Sequence, residues 1–160
     1  MPSTFDKLNL KDQRRIAILN APASFEREVA TLKGVEVVRD IRDVNEIAFS
    51  LAFVTKQKEV DTLARALGKK ARGDAIVWFA YPKGSSKRYT CEFNRDTGWK
   101  ALGEEGFEPV RMVAMDEDWS AVRFRRAEFI KTLTRGKEHA LSKEGRAKAG
   151  ASSSPKPRSR

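Results

Sequence analysis

The run from Ala75 to Ala80 limits what this chain can fold into more than any other stretch. It contains Ile76, Val77, Trp78 and Phe79 and offers no polar residue to either face. A run this short and this apolar predicts a strand buried on both sides, in the middle of a sheet covered by helices. It stops at Tyr81-Pro82-Lys83-Gly84-Ser85-Ser86-Lys87, a loop of turn formers, hydroxyls and cations at the strand's C-terminal end. In open α/β sheets, ligands sit outside that edge.

The flanking sequence supplies partners for this strand. Residues 1–14 read as a polar lead-in, and Arg15 to Leu19 as a short buried strand closed by Asn20-Ala21-Pro22. Ser24 is placed to cap a helix whose apolar stripe is Phe25, Val29 and Leu32, with Gly34 at its end. Val35 to Val38 and Ile47 to Val54 predict two more strands. Thr55 is placed to cap a helix from about Lys56, with Val60, Leu63, Ala64 and Leu67 facing inward and Gly68 as its stop. Strand, helix and strand with short links are what a parallel crossover requires. Beyond the loop, a helix from Asp96 or Thr97 buries Trp99 and Leu102. Val110 to Met115 and Trp119 to Arg125 then flank the acidic turn Asp116-Glu117-Asp118 as a hairpin. In its second arm Val122 and Phe124 share one face, Arg123 and Arg125 the other, which predicts a strand near the sheet edge. Phe129, Ile130 and Leu133 suggest a last amphipathic helix.

These elements predict a three-layer α/β/α sandwich with a mostly parallel, Rossmann-like sheet and an antiparallel C-terminal hairpin. A single domain over 1–135 precedes a basic tail over 136–160, rich in Ser and Pro and expected to be disordered. The chain carries 32 Lys and Arg against 22 Asp and Glu, a net charge of +10. The tail holds seven of those cations against Glu138 and Glu144, so half of the excess lies in 25 residues. Such a tail suits loose contact with nucleic acid or another polyanion, or serves solubility. One cysteine, Cys91, excludes an intrachain disulfide and fits a reducing compartment. No apolar run approaches membrane-spanning length and MPSTFDKLNL lacks a leader's apolar core, so a cytoplasmic protein without membrane contact is expected.

Most catalytic constellations are missing. The only histidine, His139, lies in the polar C-terminal region, which excludes a His-based triad or multi-His metal centre. No Gly-x4-Gly-Lys-Ser/Thr loop occurs, and the first strand is followed by no glycine, so neither a phosphate-loop nor a dinucleotide fingerprint is present. No cofactor is expected. The candidate site is the loop: Tyr81, Lys83, Gly84, Ser85, Ser86 and Lys87 combine backbone freedom, hydroxyls and charge suited to a phosphate or carboxylate. Asn20, Thr55, Asp118 and Trp119 should end on the same edge. Trp119 either stacks on a ring or closes one end of the core; Asp116 and Asp118 either bind Mg²⁺ or form a solvated turn. Arg123, Arg125 and Arg126 form a candidate cationic strip, and Cys91 reads as a small core filler.

Ala80-Tyr81-Pro82-Lys83-Gly84 after a Val-Trp-Phe strand, together with Asp118-Trp119-Ser120-Ala121-Val122-Arg123-Phe124, resembles a family of small bacterial proteins. It is catalogued as domain of unknown function, number 3052. The resemblance spans about residues 15–130 and implies a cytoplasmic α/β domain, with no activity or catalytic residues to carry over. A weaker likeness is to the later half of class I methyltransferases. The order of Phe53-Val54-Thr55, the helix to Leu67, the strand to Tyr81 and the closing hairpin is similar to theirs. The glycine-rich loop that would hold S-adenosylmethionine is missing, so the resemblance does not imply that cofactor.

Together these features favour a non-enzymatic binding or accessory module, with an anion-binding loop and a tail that contacts nucleic acid. The alternative is a small or degenerate nucleotide- or methyltransferase-like enzyme using the same edge. The partners expected are a phosphate-bearing small molecule or, through the tail, nucleic acid.

Overall fold

The computed structural model describes residues 4–93 and 98–130. Its elements are α1 (Thr4–Lys7), β1 (Arg15–Leu19), α2 (Glu26–Val29), β2 (Glu36–Val38), β3 (Ile47–Phe53), α3 (Gln57–Lys70), β4 (Ala71–Pro82), α4 (Lys100–Glu104), β5 (Phe107–Ala114) and β6 (Trp119–Arg126). One six-stranded sheet runs in the order β2-β1-β3-β4-β6-β5. Strands β1 to β4 pair in parallel, and β6 runs antiparallel to both of its neighbours.

The topology follows from chain direction. The β1-to-β2 crossover steps outward one way and the β3-to-β4 crossover the other, so right-handed connections place their helices on opposite faces. Burial agrees. Val60, Leu63, Ala64 and Leu67 of α3 pack with Val77, Phe79 and Tyr81 of β4. On the other side Phe5, Leu8 and Phe25 pack with Ile76, Trp78 and Ala80 of the same strand. Alternation along β4 thus feeds both cores, which is why it must be apolar without interruption.

The predicted sandwich is the observed one, with local differences. The lead-in is not wholly polar: Phe5 and Leu8 bury against the sheet, and the Trp78 indole N–H donates to the Leu8 carbonyl at 2.8 Å. Ser24 caps nothing; a 3₁₀ turn over Ala23–Phe25 begins after Pro22, and α2 is a single turn. At the start of α3 the Glu59 carboxylate, rather than the Thr55 hydroxyl, closes the terminus, accepting from the Thr55 and Lys56 amides at 2.9 and 3.0 Å.

Gly68 does not stop α3, which continues to Lys70; a Cβ there would displace the Glu105 side chain. Strand β4 begins at Ala71. Gly73, at φ +55°, accommodates the register shift against β3 between Ile47 and Phe49. The predicted start of the next helix, Asp96 or Thr97, lies outside the described residues, as do Leu133 and the basic tail; α4 is observed from Lys100, with Trp99 and Leu102 buried. The hairpin order also differs, since β6 lies between β4 and β5 and the edge strand is β5. No helix among the described residues is long and apolar enough to cross a membrane.

Candidate functional site

The C-terminal ends of β1, β3, β4 and β5 and the start of β6 share one edge of the sheet. From β4 the chain crosses this edge as a strapped loop. The Lys83 amide donates to the Asp118 carbonyl at 2.8 Å, and the Ser86 amide to the Lys83 carbonyl at 3.0 Å. Ser86 Oγ donates to Asp118 Oδ1 at 2.9 Å and accepts from the Tyr89 amide at 3.1 Å. Further on, the Glu92 amide donates to the Thr55 carbonyl at 3.0 Å, and Glu92 Oε1 accepts from the Gln57 amide at 2.9 Å. The segment is therefore tied to β6 at one end and to α3 at the other.

Beneath it lies a cleft of ≈ 500 Å³. Lys83, Gly84, Ser86 and Thr90 supply its polar rim; Tyr81, Tyr89, Phe93 and Met112 supply rings and a thioether. The Lys83 ammonium has no hydrogen-bond or ion-pair partner among the described residues. A Cβ at Gly84 would meet nothing within 4 Å, so the backbone there stands open to an approaching group. The Tyr81 hydroxyl donates to Met112 Sδ at 3.5 Å. Burial pushes the Cys91 thiol above its usual pKa, against a smaller opposing backbone hydrogen bond from Phe93. The thiol thus stays protonated at neutral pH and is no ready nucleophile.

Of the residues singled out by sequence, Tyr81, Lys83, Gly84 and Ser86 meet at this cleft. Ser85 and Lys87 sit beside it and do not line it. Asn20, at φ +59°, and Thr55 lie farther along the edge. Asp118 supports the loop from below. Trp119, 4 % exposed, closes one end of the core, its ring 5.1 Å from Phe53 and 5.0 Å from Tyr89. Asp116 Oδ1 accepts from the Asp118 and Trp119 amides at 2.8 Å, which is turn chemistry. Sequence missed Thr90, Phe93, Met112 and Ser120 as lining residues, because 87–93 has no apolar period and β5 and β6 reach the cleft only through tertiary pairing.

Replacing Asp118 with alanine leaves the Ser86 hydroxyl without its acceptor and should weaken the loop's attachment by ~1–2 kcal/mol. Faster amide hydrogen exchange at Ser86 to Tyr89, with the β4 core unchanged, is the expected reading. Unaltered exchange there would remove Asp118 from its supporting role.

Neither a protein-family model nor a curated protein matches the chain. Solved structures do. A SAM dependent methyltransferase from Aquifex aeolicus superposes with a TM-score of 0.53 at 14% identity, covering 76% of this chain and 87% of that one. The fibrillarin pre-rRNA processing protein of Methanococcus jannaschii gives 0.46 at 11% identity, with 72% and 67% covered. The N-methyltransferase NodS from Bradyrhizobium japonicum gives 0.45 at 15%, with 70% and 73% covered. The chain therefore has a Rossmann-like fold similar to that of S-adenosylmethionine-dependent methyltransferases. The expected non-enzymatic accessory module is corrected by this likeness, since the shared fold is that of a SAM dependent methyltransferase.

The residues after β1 and β2 do not fit S-adenosylmethionine held by a glycine-rich loop. Asn20 alone takes a left-handed conformation in a segment without glycine, and Pro22 leads directly into the 3₁₀ turn. That turn buries Phe25 with its ring 4.9 Å from Phe53, at the end of β3. Arg39, following β2, donates to both carboxylate oxygens of Glu26 at 2.7 and 2.8 Å. The hydrogen bond from Arg39 holds the Glu26 carboxyl below its usual pKa, so the pair is charged and mutually engaged.

Proposed function

We propose that this chain is a small, degenerate methyltransferase-like enzyme that holds a nucleotide-type, phosphate-bearing small molecule in the cleft at the end of β4. The observation that carries this reading is the cleft itself, lined by Lys83, whose ammonium is unpaired among the described residues, and by aromatic rings at the ligand-bearing edge of a Rossmann-like sheet. Lys83 supplies charge for the phosphate, the open backbone at Gly84 supplies close approach, and Tyr81 and Phe93 supply ring surface. Ser86 orients the loop through Asp118 and is a positioning residue.

The two motifs that carry the resemblance to the bacterial family numbered 3052 both lie at this edge. The first forms the end of β4 and the rim, and the second supplies Asp118 beneath the loop and Ser120 on the wall. A cytoplasmic setting belongs to this reading.

The test is thermal unfolding of the full chain with adenosine nucleotides, S-adenosylmethionine and S-adenosylhomocysteine, each compared with inorganic phosphate. A ligand present at a hundred times its dissociation constant should add ~2.7 kcal/mol of stability, a shift of several degrees. Lys83→Ala should weaken that ligand on the order of tenfold, the loss expected for one charge-assisted contact. No shift with any member of the panel, or an equal shift in Lys83→Ala, overturns the proposal. Mass spectrometry of the stabilising ligand after incubation then shows whether it is converted.

A further inference from the structure

The two faces of the β5–β6 pair are unlike. On one, Val122 and Phe124 bury into the core beneath α3 and α4. On the other, Arg123 stands directly opposite Arg111 in the antiparallel register, with Trp78 of β4 on its other flank. Side chains of such a pair project from the same face with Cβ atoms ~4.5–5.5 Å apart, and like charges so placed repel. The repulsion is offset only in part. Asp74, whose charge reaches Arg123, is held by Arg125 through Nε and Nη2 at 2.8 and 2.5 Å. Glu108, opposite Arg125, is fully buried and already has an interaction of its own.

Among the described residues neither Arg111 nor Arg123 has an ion-pair partner, and Nε of Arg123 is buried without a hydrogen-bond acceptor. Burial first, then the neighbouring Arg125 and Arg111, holds the Arg123 pKa below the usual arginine value, with Asp74 opposing. Arg111 is exposed, so the pair opens to solvent.

We propose that Arg111 and Arg123 form a phosphate site for a nucleic-acid strand where the β5–β6 pair opens to solvent at Arg111, separate from the cleft at the end of β4. Two guanidinium groups on paired positions offer neighbouring donors, and a phosphodiester supplies negative oxygens that accept from both. Charge complementarity selects a polymer over a single ion. The chain is +10 overall, and residues 131–160 carry nine Lys and Arg against two Glu.

Fluorescence anisotropy of a short labelled single-stranded RNA, titrated with the full chain across a salt series, tests the assignment. The Arg111→Gln/Arg123→Gln variant should bind on the order of tenfold more weakly at low salt. Its slope of log K against log salt should fall by about 1.4, as expected when a single strand has two fewer phosphates neutralised. Arg111→Lys/Arg123→Lys should keep most of the slope, and Lys100→Gln, at the start of α4, should leave both quantities unchanged. Cationic residues elsewhere contribute equally to every variant and cancel in the comparison. Arg111→Gln alone, at an exposed position, carries the test if the double variant fails to fold. It should also raise Tm at low salt by relieving the repulsion. Affinity and slope unchanged in the Gln variants overturn the proposal, as does arginine-dependent binding of polyglutamate in preference to RNA.

Discussion

Trp78→Ala should destabilise the protein by ~3–5 kcal/mol, the range for emptying a large aromatic site in a packed core. Trp78 is fully buried in the central strand, between Leu51 of β3 and Arg123 of β6 in the ladder. Its indole N–H also fastens the N-terminal segment to the sheet through the Leu8 carbonyl. Removing it opens a cavity and leaves that carbonyl without a donor, and the second effect adds ~1 kcal/mol or more. Urea unfolding monitored by circular dichroism reads the loss as a lower midpoint with an unchanged m-value. Trp78→Phe keeps an aromatic ring and most of the volume while losing the N–H, so it should cost less than the alanine variant. A loss under ~2 kcal/mol for the alanine variant would contradict a close-packed site here.

Arg126→Met should cost ~2–3 kcal/mol through a different mechanism. The guanidinium donates to the carbonyls of Gly68 and Ala71 at 3.0 Å each, and to that of Glu105 at 3.3 Å. It also lies 4.7 Å over the Phe107 ring. One side chain thus closes the C-terminal ends of α3 and α4, where carbonyls lack intrahelical donors and cations are favoured. Methionine keeps apolar contact with the ring but removes every donor. Arg126→Lys should recover less than half of the loss, because a single ammonium cannot span three carbonyls. Thermal unfolding of both variants checks this. Full recovery by lysine would mean that charge, not the forked geometry, holds the helix ends.

These two residues differ in how legible they are from sequence. Trp78 is readable at once, because an unbroken apolar run admits few placements other than a doubly covered strand. Sequence groups Arg126 with Arg123 and Arg125 as one strip, yet it turns to the helix ends while Arg125 pairs with Asp74. That choice depends on where the ends of α3 and α4 fall, which no local pattern encodes. The alternation in β6 likewise suggests an edge strand. It records instead a sheet face that carries arginines, on a strand paired along both sides.

The cleft divides in the same way. Its rim is legible, since Pro82-Lys83-Gly84 after an apolar strand announces a turn at a ligand-bearing edge. Its opposite walls, Phe93 and Met112, come from segments whose patterns say nothing of a site. Asp118 and Ser86 are joined by a hydrogen bond across 32 positions of sequence.

By itself the sequence determined the six strands, the long helix α3, the α/β layering and the absence of a glycine-rich loop, because periodicity, turn chemistry and missing residue types are local properties. Tertiary structure decided the strand order, the partner of each arginine and the enclosure of the cleft. These depend on which distant segments meet once two apolar faces of one sheet are buried, and pairing energies between distant segments leave no periodic trace in the chain.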